Sequence, residues 1–262
     1  MADPVAGTQL AGHVAVVTGG SRGIGLGIAR AFVAQGATVV ICGRDAERGK
    51  RAQEELGAAE FVAVDVSSQH AAEDLIDRTV AAYGSLEILV NNAGGPNVGA
   101  RVVETTDESW RNAFAVNVDA PFWTMRRALP HMIAREHGRI LNVSSILGKT
   151  GSPGQAPYVA SKHALNGLTK SVAHEVGASG VTVNALCPGL VLTDFVRRYE
   201  DDAAAAMGLT PEQMLAMYLA MSATRRPVTV EEIGALAVYL ASPAGASVTG
   251  AQISIDGGMA PY

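Results

Sequence analysis

The sequence predicts an α/β protein: one doubly wound, mainly parallel sheet of about seven strands with helices on both faces. Three observations carry this. Short runs rich in Val, Ile and Leu recur along the chain, and stretches with apolar residues at helical spacing separate them. A glycine-rich turn, Gly19-Gly20-Ser21-Arg22-Gly23-Ile24-Gly25, joins the first such run to the first helical stretch. Polar residues gather at the ends of the runs, on the sheet edge where open α/β folds bind ligands.

A length of 262 residues suits one α/β domain of the larger sort, so a single domain over 1–262 is expected. The net charge of −5 lacks the basic excess of a nucleic-acid binder, and no nucleic acid is expected as a partner. Met1 to Gly7 has no basic segment followed by an apolar core, and no apolar run approaches the roughly 18 residues that span a bilayer. No membrane association and a cytoplasmic location follow as expectations. Cys42 and Cys187 each sit inside an apolar run and read as reduced core thiols, and the six histidines show no ligand spacing, so no metal is expected.

In chain order, Val14–Thr18 is the first strand. The glycines at 19, 23 and 25 permit a tight turn and let the backbone approach a pyrophosphate at the start of the next helix, which carries Ile24, Ile28, Ala31 and Phe32 at helical spacing. Gly19, Ser21, Arg22, Gly23, Ile24 and Gly25 are therefore candidate dinucleotide contacts. The second strand, Thr38–Cys42, ends in Gly43-Arg44-Asp45. A carboxylate at that strand end suits the ribose hydroxyls of NAD, whereas a basic residue accommodates the phosphate of NADP. Gly43 occupies the acid's place, and Arg44 with Arg22 offers two guanidinium forks for a phosphate, which favours NADP. Two solvated arginines are the plain alternative, and Asp45 could compete for the same hydroxyls.

Phe61–Val66 reads as a third strand with Asp65 and Val66 at its C-terminal edge, where Asp65 either faces a cofactor or caps a helix. Leu86–Asn91 is the fourth and runs into Asn92-Ala93-Gly94, whose small residues leave room for backbone to pass a cofactor and whose amides can tie strand ends together. A long helical region, about 107–135, is interrupted at Asn117-Val118-Asp119-Ala120-Pro121, where proline predicts a kink or joint. Arg139–Ser144 is the fifth strand and places Ser144 and Ser145 at the ligand-binding edge.

Tyr158 and Lys162 then stand four apart at the start of an apolar-periodic helix, one above the other on one face. An ammonium beside a phenol favours the phenolate and brings the proton donor nearer neutral pH. In isolation the pair reads as a surface Tyr and a solvated Lys; the strand-end hydroxyls facing it change that. Val181–Cys187 is the sixth strand and leads into Pro188-Gly189-Leu190-Val191-Leu192-Thr193. The segment 194–227, with Ala203 to Ala206, Met207, Met214, Met217, Met221, Tyr199 and Tyr218, is too long for a simple connection. It reads as a lid over the substrate, or as ordinary methionine-rich helix packing. Glu231 and Glu232 open a helix that runs to Leu240, and Ala251–Gly258 supplies the last strand.

Ser145 followed thirteen residues later by Tyr-x-x-x-Lys, the Thr-Gly-x-x-x-Gly-x-Gly turn, and Asn91-Asn92-Ala93-Gly94 together resemble the short-chain dehydrogenase/reductase family, over roughly His13 to Gly258. The resemblance implies a Rossmann-type sheet in the order 3-2-1-4-5-6-7 and hydride transfer between NADP(H) and a small-molecule carbonyl or alcohol. It implies Asn117, Ser145, Tyr158 and Lys162 as catalytic residues, with Asn117 holding a water beside Lys162. Tyr158 and Lys162 also contact the cofactor in that reading, as do Asp65 at the adenine and Pro188, Gly189, Val191 and Thr193 near the nicotinamide. A homo-oligomer, most simply a tetramer, is implied too. Asn91–Pro96, Ala156-Pro157-Tyr158 with Ser161-Lys162-His163, and Gly257–Tyr262 are similar to aromatic polyketide ketoreductases, which points to a ketone substrate, also in thioester form; Asn97-Val98 departs from their pattern.

Overall fold

The computed structural model describes residues 8–57, 59–95, 99–193 and 208–260. Asn97 and Val98, the first part of the expected lid (194–207), Pro261 and Tyr262 lie outside the described residues. Seven strands form one sheet in the order β3-β2-β1-β4-β5-β6-β7, parallel throughout. They are β1 (Val14–Thr18), β2 (Thr38–Gly43), β3 (Ala59–Ala63), β4 (Ile88–Asn91), β5 (Gly138–Val143), β6 (Val181–Pro188) and β7 (Gln252–Ile255). The helices between them are α1 (Gly23–Ala34), α2 (Ala46–Leu56), α3 (Gln69–Tyr83), α4 (Asp107–Phe114), α5 (Ala120–Ala134), α6 (Ala156–Val176), α7 (Pro211–Met221) and α8 (Val230–Ala241). The order turns back between β1 and β4, and a crevice at such a switch point is where this topology binds ligands.

Strand residues alternate between two cores. Val17, Ile41, Val90 and Leu141 face α1 and α8, where Ile28, Phe32 and Ile233 are fully buried. Val16, Val40, Leu89 and Ile140 face the other side, against Leu75 and Ile76 of α3 and Met125 and Met132 of α5. Coverage on both faces explains why the central strands read as unbroken apolar runs. Glycines set one crossing: a Cβ on Gly27 would lie 2.8 Å from that of Val230, so α1 and α8 meet almost backbone to backbone.

Four elements differ from expectation. β3 runs from Ala59 to Ala63, not to Val66, because its neighbour β2 ends at Gly43, paired with Ala63. Beyond it the Asp65 carboxylate accepts from Ser67 N at 3.0 Å and from Ser67 Oγ at 2.7 Å, a local turn that competes with strand extension. Ser68, not Asp65, precedes α3. The long helical region is interrupted near the expected joint, two residues earlier at each end and without a break at Pro121. It passes through a π turn, Ala115–Asp119, in which Ala120 N donates to Ala115 O five residues back. Pro121 has no N–H, so Asn117 O has no donor at the usual four-residue spacing, and the wider turn accommodates the mismatch. β4 and β7 are shorter than expected, by two residues at the start of β4 and by one at the start and three at the end of β7.

Candidate active site

At the switch point the ends of β1 and β4 are laced together. The Thr18 hydroxyl donates to Val90 O and accepts from Asn92 N at 2.9 Å and Ala93 N at 3.0 Å, and Asn92 Nδ2 donates to Thr18 O and Gly19 O. A Cβ on Gly25 would collide with Asn92 Nδ2 and Gly19 O, so the loop closes only with glycine there. No side chain caps α1 and its first turn holds no acid, which leaves its first N–H groups and positive end directed at the loop. Those features fit a pyrophosphate. Gly23 would carry its Cβ 3.1 Å from Thr193 Cγ2, which brings the Pro188–Thr193 loop across the same crevice. In that loop Thr193 N donates to Val191 O, and Gly189 N donates to Ile255 O.

At the end of β2, Gly43 leaves open the space a carboxylate would fill, with Ser21 Oγ 3.3 Å from where a Cβ would stand. Asp45 is occupied as the N-cap of α2: it accepts from Arg48 N and pairs with the Arg48 guanidinium, both at 3.0 Å. The Arg48 N–H holds its carboxyl below the usual range. The Arg44 guanidinium is largely exposed, 3.9 Å from Asp65. Burial pushes the Asp65 carboxyl up, but the two Ser67 bonds and Arg44 outweigh it and the net shift is downward.

On the far side of the crevice, Ser145 ends the β5 edge, its Oγ accepts from Leu147 N, and it lies close enough to the Tyr158 phenol to lower that group's pKa. Ser144 turns the other way, its buried Oγ 3.5 Å from Lys162 O. Tyr158 lies in the first turn of α6, and Lys162 one turn on is 4% exposed, its Nζ donating to Val143 O at 2.8 Å. The ammonium stands 5.5 Å from the centre of the Tyr158 ring. The expected lowering of the phenol is therefore not found. Burial pushes Tyr158 up to about 12, opposed only by the Ser145 bond. Burial also drives Lys162 down to about 8.

Asn117, fully buried in the π turn, uses its amide like a strand edge: Oδ1 accepts from Gly95 N at 3.3 Å and Nδ2 donates to Gly95 O at 3.4 Å. A Cβ on Gly94 would collide with Asn117 Oδ1 and lie 3.8 Å from Lys162 Nζ, so Gly94 fills the gap between the two. α7 begins with a Thr210/Gln213 capping box and buries Met214, while Met217 and Met221 are exposed. Among the described residues no group of three His, Cys, Asp or Glu could hold a metal. Thr18, the knot of the crevice, passed as an ordinary strand residue in the sequence. A hydroxyl closing a run of valines just before a glycine turn was the available signal.

Residues 13–204 match the family model described as short chain dehydrogenase. The chain belongs to that family. It is 39% identical over 251 residues to a D-beta-hydroxybutyrate dehydrogenase of Rhizobium meliloti, covering 93% of this chain and 97% of the relative. It is 35% identical over 256 residues to a 3-oxoacyl-acyl-carrier-protein reductase of Chlamydia muridarum, covering 96% and 98%. Among solved structures, a variant of actinorhodin polyketide ketoreductase crystallised with NADPH superimposes with a TM-score of 0.92 at 35% identity, covering 98% of this chain and all of that one.

Proposed function

We propose that this short-chain dehydrogenase is an NADPH-linked reductase of 3-oxoacyl compounds, including those carried as thioesters. The chain is an oxidoreductase of the ketone/alcohol pair that uses NADP(H). The observation that carries the reductive reading is geometric: Ser145 at the ligand-binding edge, Tyr158 in the first turn of α6, and the Lys162 ammonium 5.5 Å from the Tyr158 ring and anchored on Val143 O, with burial raising the phenol's pKa. The Gly19–Gly25 loop and the start of α1 would hold the pyrophosphate, Arg22 and Arg44 the adenosine phosphate, and Asn92–Gly94 with Pro188–Thr193 the nicotinamide half. Bound NADPH supplies the hydride.

The chain's own residues do the rest. Ser145 and Tyr158 both donate to the substrate carbonyl oxygen as it gains charge, and Tyr158 gives up its proton to form the alcohol. The Lys162 ammonium stabilises the phenolate left behind. Asn117 O, lacking the helical donor that Pro121 cannot supply, is free of that bond to accept from a water beside Lys162, a route by which the phenol regains its proton.

NADPH is expected to be used at least ~10-fold more efficiently than NADH, because one good phosphate contact contributes about 1.4 kcal/mol or more. Arg44→Ala narrows that ratio through KM for NADPH, since the phosphate is remote from the reacting carbon. Equal kcat/KM for the two cofactors in the native protein would refute the assignment.

A panel of 3-oxoacyl thioesters, bicyclic ketones and simple 3-oxoacids, assayed by NADPH oxidation, tests the substrate class; 3-oxoacyl thioesters should turn over fastest. The likeness to the Rhizobium meliloti protein favours a second reading, a 3-hydroxyacid dehydrogenase, and turnover confined to simple 3-oxoacids and 3-hydroxybutyrate would select it. No helix among the described residues is long and apolar enough to cross a membrane, and the two buried cysteines are unpaired. Both suit a cytoplasmic enzyme. The proposed assembly is a homotetramer, because symmetric closure is the common solution for soluble enzymes and Trp110, Phe122 and Ile133 stand exposed on α4 and α5. Light scattering at micromolar concentration should return four times the 27.0 kDa chain mass; a monomer mass would refute it.

A further inference from the structure

A chain of buried polar side chains crosses the protein from α5 to α6 through two strands. The Thr124 hydroxyl on α5 donates to Asn91 Oδ1 on β4 at 2.7 Å, Asn91 Nδ2 donates to Asn142 Oδ1 on β5 at 2.9 Å, and Asn142 Nδ2 donates to Thr169 Oγ on α6 at 2.9 Å. Thr169 passes its own proton to Leu165 O at 2.8 Å, and Thr124 also approaches the carbonyls of Ala120 and Pro121 at 3.1 and 3.0 Å. All four side chains are at most 3% exposed, so each bond is made without competition from water. The two amides must be oriented in concert, since each has to present an acceptor to one neighbour and a donor to the other.

The ladder's placement relative to the active site is regular. Thr169 follows Lys162 by seven residues, and Thr124 follows Asn117 by seven. On α6 seven residues are two helical turns, about 10 Å along the axis and back on nearly the same face, whereas the step from Asn117 to Thr124 begins in the wider π turn. Asn142, at the ladder's centre, immediately precedes Val143, whose carbonyl receives Lys162 Nζ. One strand thus anchors α6 twice, at Lys162 and two turns below it, and through Asn91 it anchors α5 seven residues beyond Asn117. Four apolar side chains would fill the same space without a desolvation cost. What directional bonds add is a single axial setting for each helix against β5.

We propose that Thr124 and Thr169 are positioning residues, which through Asn91 and Asn142 hold α5 and α6 in the register that sets the Tyr158–Lys162 pair of α6 against Ser145 at the end of β5 and against Asn117. This rests on the catalytic reading of those three residues. The test compares Thr169→Val, which keeps the shape but neither accepts nor donates, with Thr169→Ser, which keeps both bonds, and repeats the pair at Thr124. In the holoenzyme the Val variants should lose about 10-fold in kcat and shift the alkaline limb of the pH–rate profile, while the Ser variants stay within about twofold. A fall in melting temperature alone is what a merely structural role would give. Native kcat and pH profile in a folded Val variant would overturn the proposal, as would equal losses in Ser and Val, or failure of both Val variants to fold. Tyr158→Phe, assayed alongside, separates the two levels. If it keeps native turnover the catalytic reading itself fails, whereas an inactive Tyr158→Phe beside a fully active Thr169→Val removes only the positioning role.

Discussion

Tyr158→Phe is expected to lower kcat by about 10²- to 10⁴-fold, the usual range for a general acid, and to leave NADPH binding nearly unchanged. The substitution removes one oxygen and keeps the ring. That oxygen lies beside Ser145 at the ligand-binding edge, and burial pushes its pKa up to about 12. Ser145 retains its bond from Leu147 N in the variant, so the surrounding turn should hold its shape. Single-turnover rates with NADPH in excess, beside a fluorescence titration of NADPH, make the measurement. Normal binding together with undiminished turnover would mean that another group supplies the proton.

Lys162→Met separates function from stability at a second position. The ammonium is buried, with its pKa driven from 10.5 to about 8, which corresponds to roughly 3 kcal/mol for keeping the charge there at neutral pH. Methionine fills a similar volume without charge, and the loss on the other side is one hydrogen bond to Val143 O, worth about 1 kcal/mol or somewhat more. kcat should fall by about 10²-fold or more and NADPH should bind more weakly, while the melting temperature at pH 7 holds or rises. The pH dependence gives a further check. Because the folded pKa lies below that of the unfolded chain, unfolded protein binds more protons between about pH 8 and 10.5, and this group makes the native protein more stable as pH rises through that window. Lys162→Met should abolish that rise. Catalysis runs the opposite way: the ammonium is present below about pH 8 and lost above it, so reductive kcat/KM should decline on the alkaline side in the native protein. A marked drop in melting temperature for Lys162→Met would show that the ammonium stabilises the fold.

The fold class was legible in the chain because parallel strands covered on both faces leave an unmistakable apolar signature, and the candidate site residues because they stand where those runs stop. The strand order needed the family resemblance, since alternation of strands and helices gives the class but not the sequence of neighbours. What escaped was set by interactions across long separations. Asp65 was read on a strand because nothing local shows that β2 stops at Gly43 and leaves β3 without a partner. Asp45 looked like a rival for the cofactor hydroxyls until its bond to Arg48 N placed it at a helix start. The phenol's shift was expected downward from the Tyr-x-x-x-Lys spacing alone. Spacing brings Lys162 beside the ring, but the ammonium is held by Val143 O, and burial decides the direction. Asn91 and Asn142 sit in the apolar runs of β4 and β5, and their threonine partners on α5 and α6 are 33 and 27 residues away and give no local sign of the connection.

The π turn at Ala115–Asp119 amounts to one residue more than a regular helix of that length would contain. Removing a single residue there, Val116 for example, would restore ordinary pitch and should cost the helix little by itself. Because the turn holds that residue within the span of a regular helix, the segments on either side would keep their places and Thr124 would stay on Asn91. The change would fall on the turn itself, whose remaining residues would be redistributed about the axis, and the Asn117 amide would leave Gly95. The extra residue therefore serves to aim one side chain without disturbing its neighbours, and a shortened chain with a more regular helix at this point is expected to be the poorer enzyme.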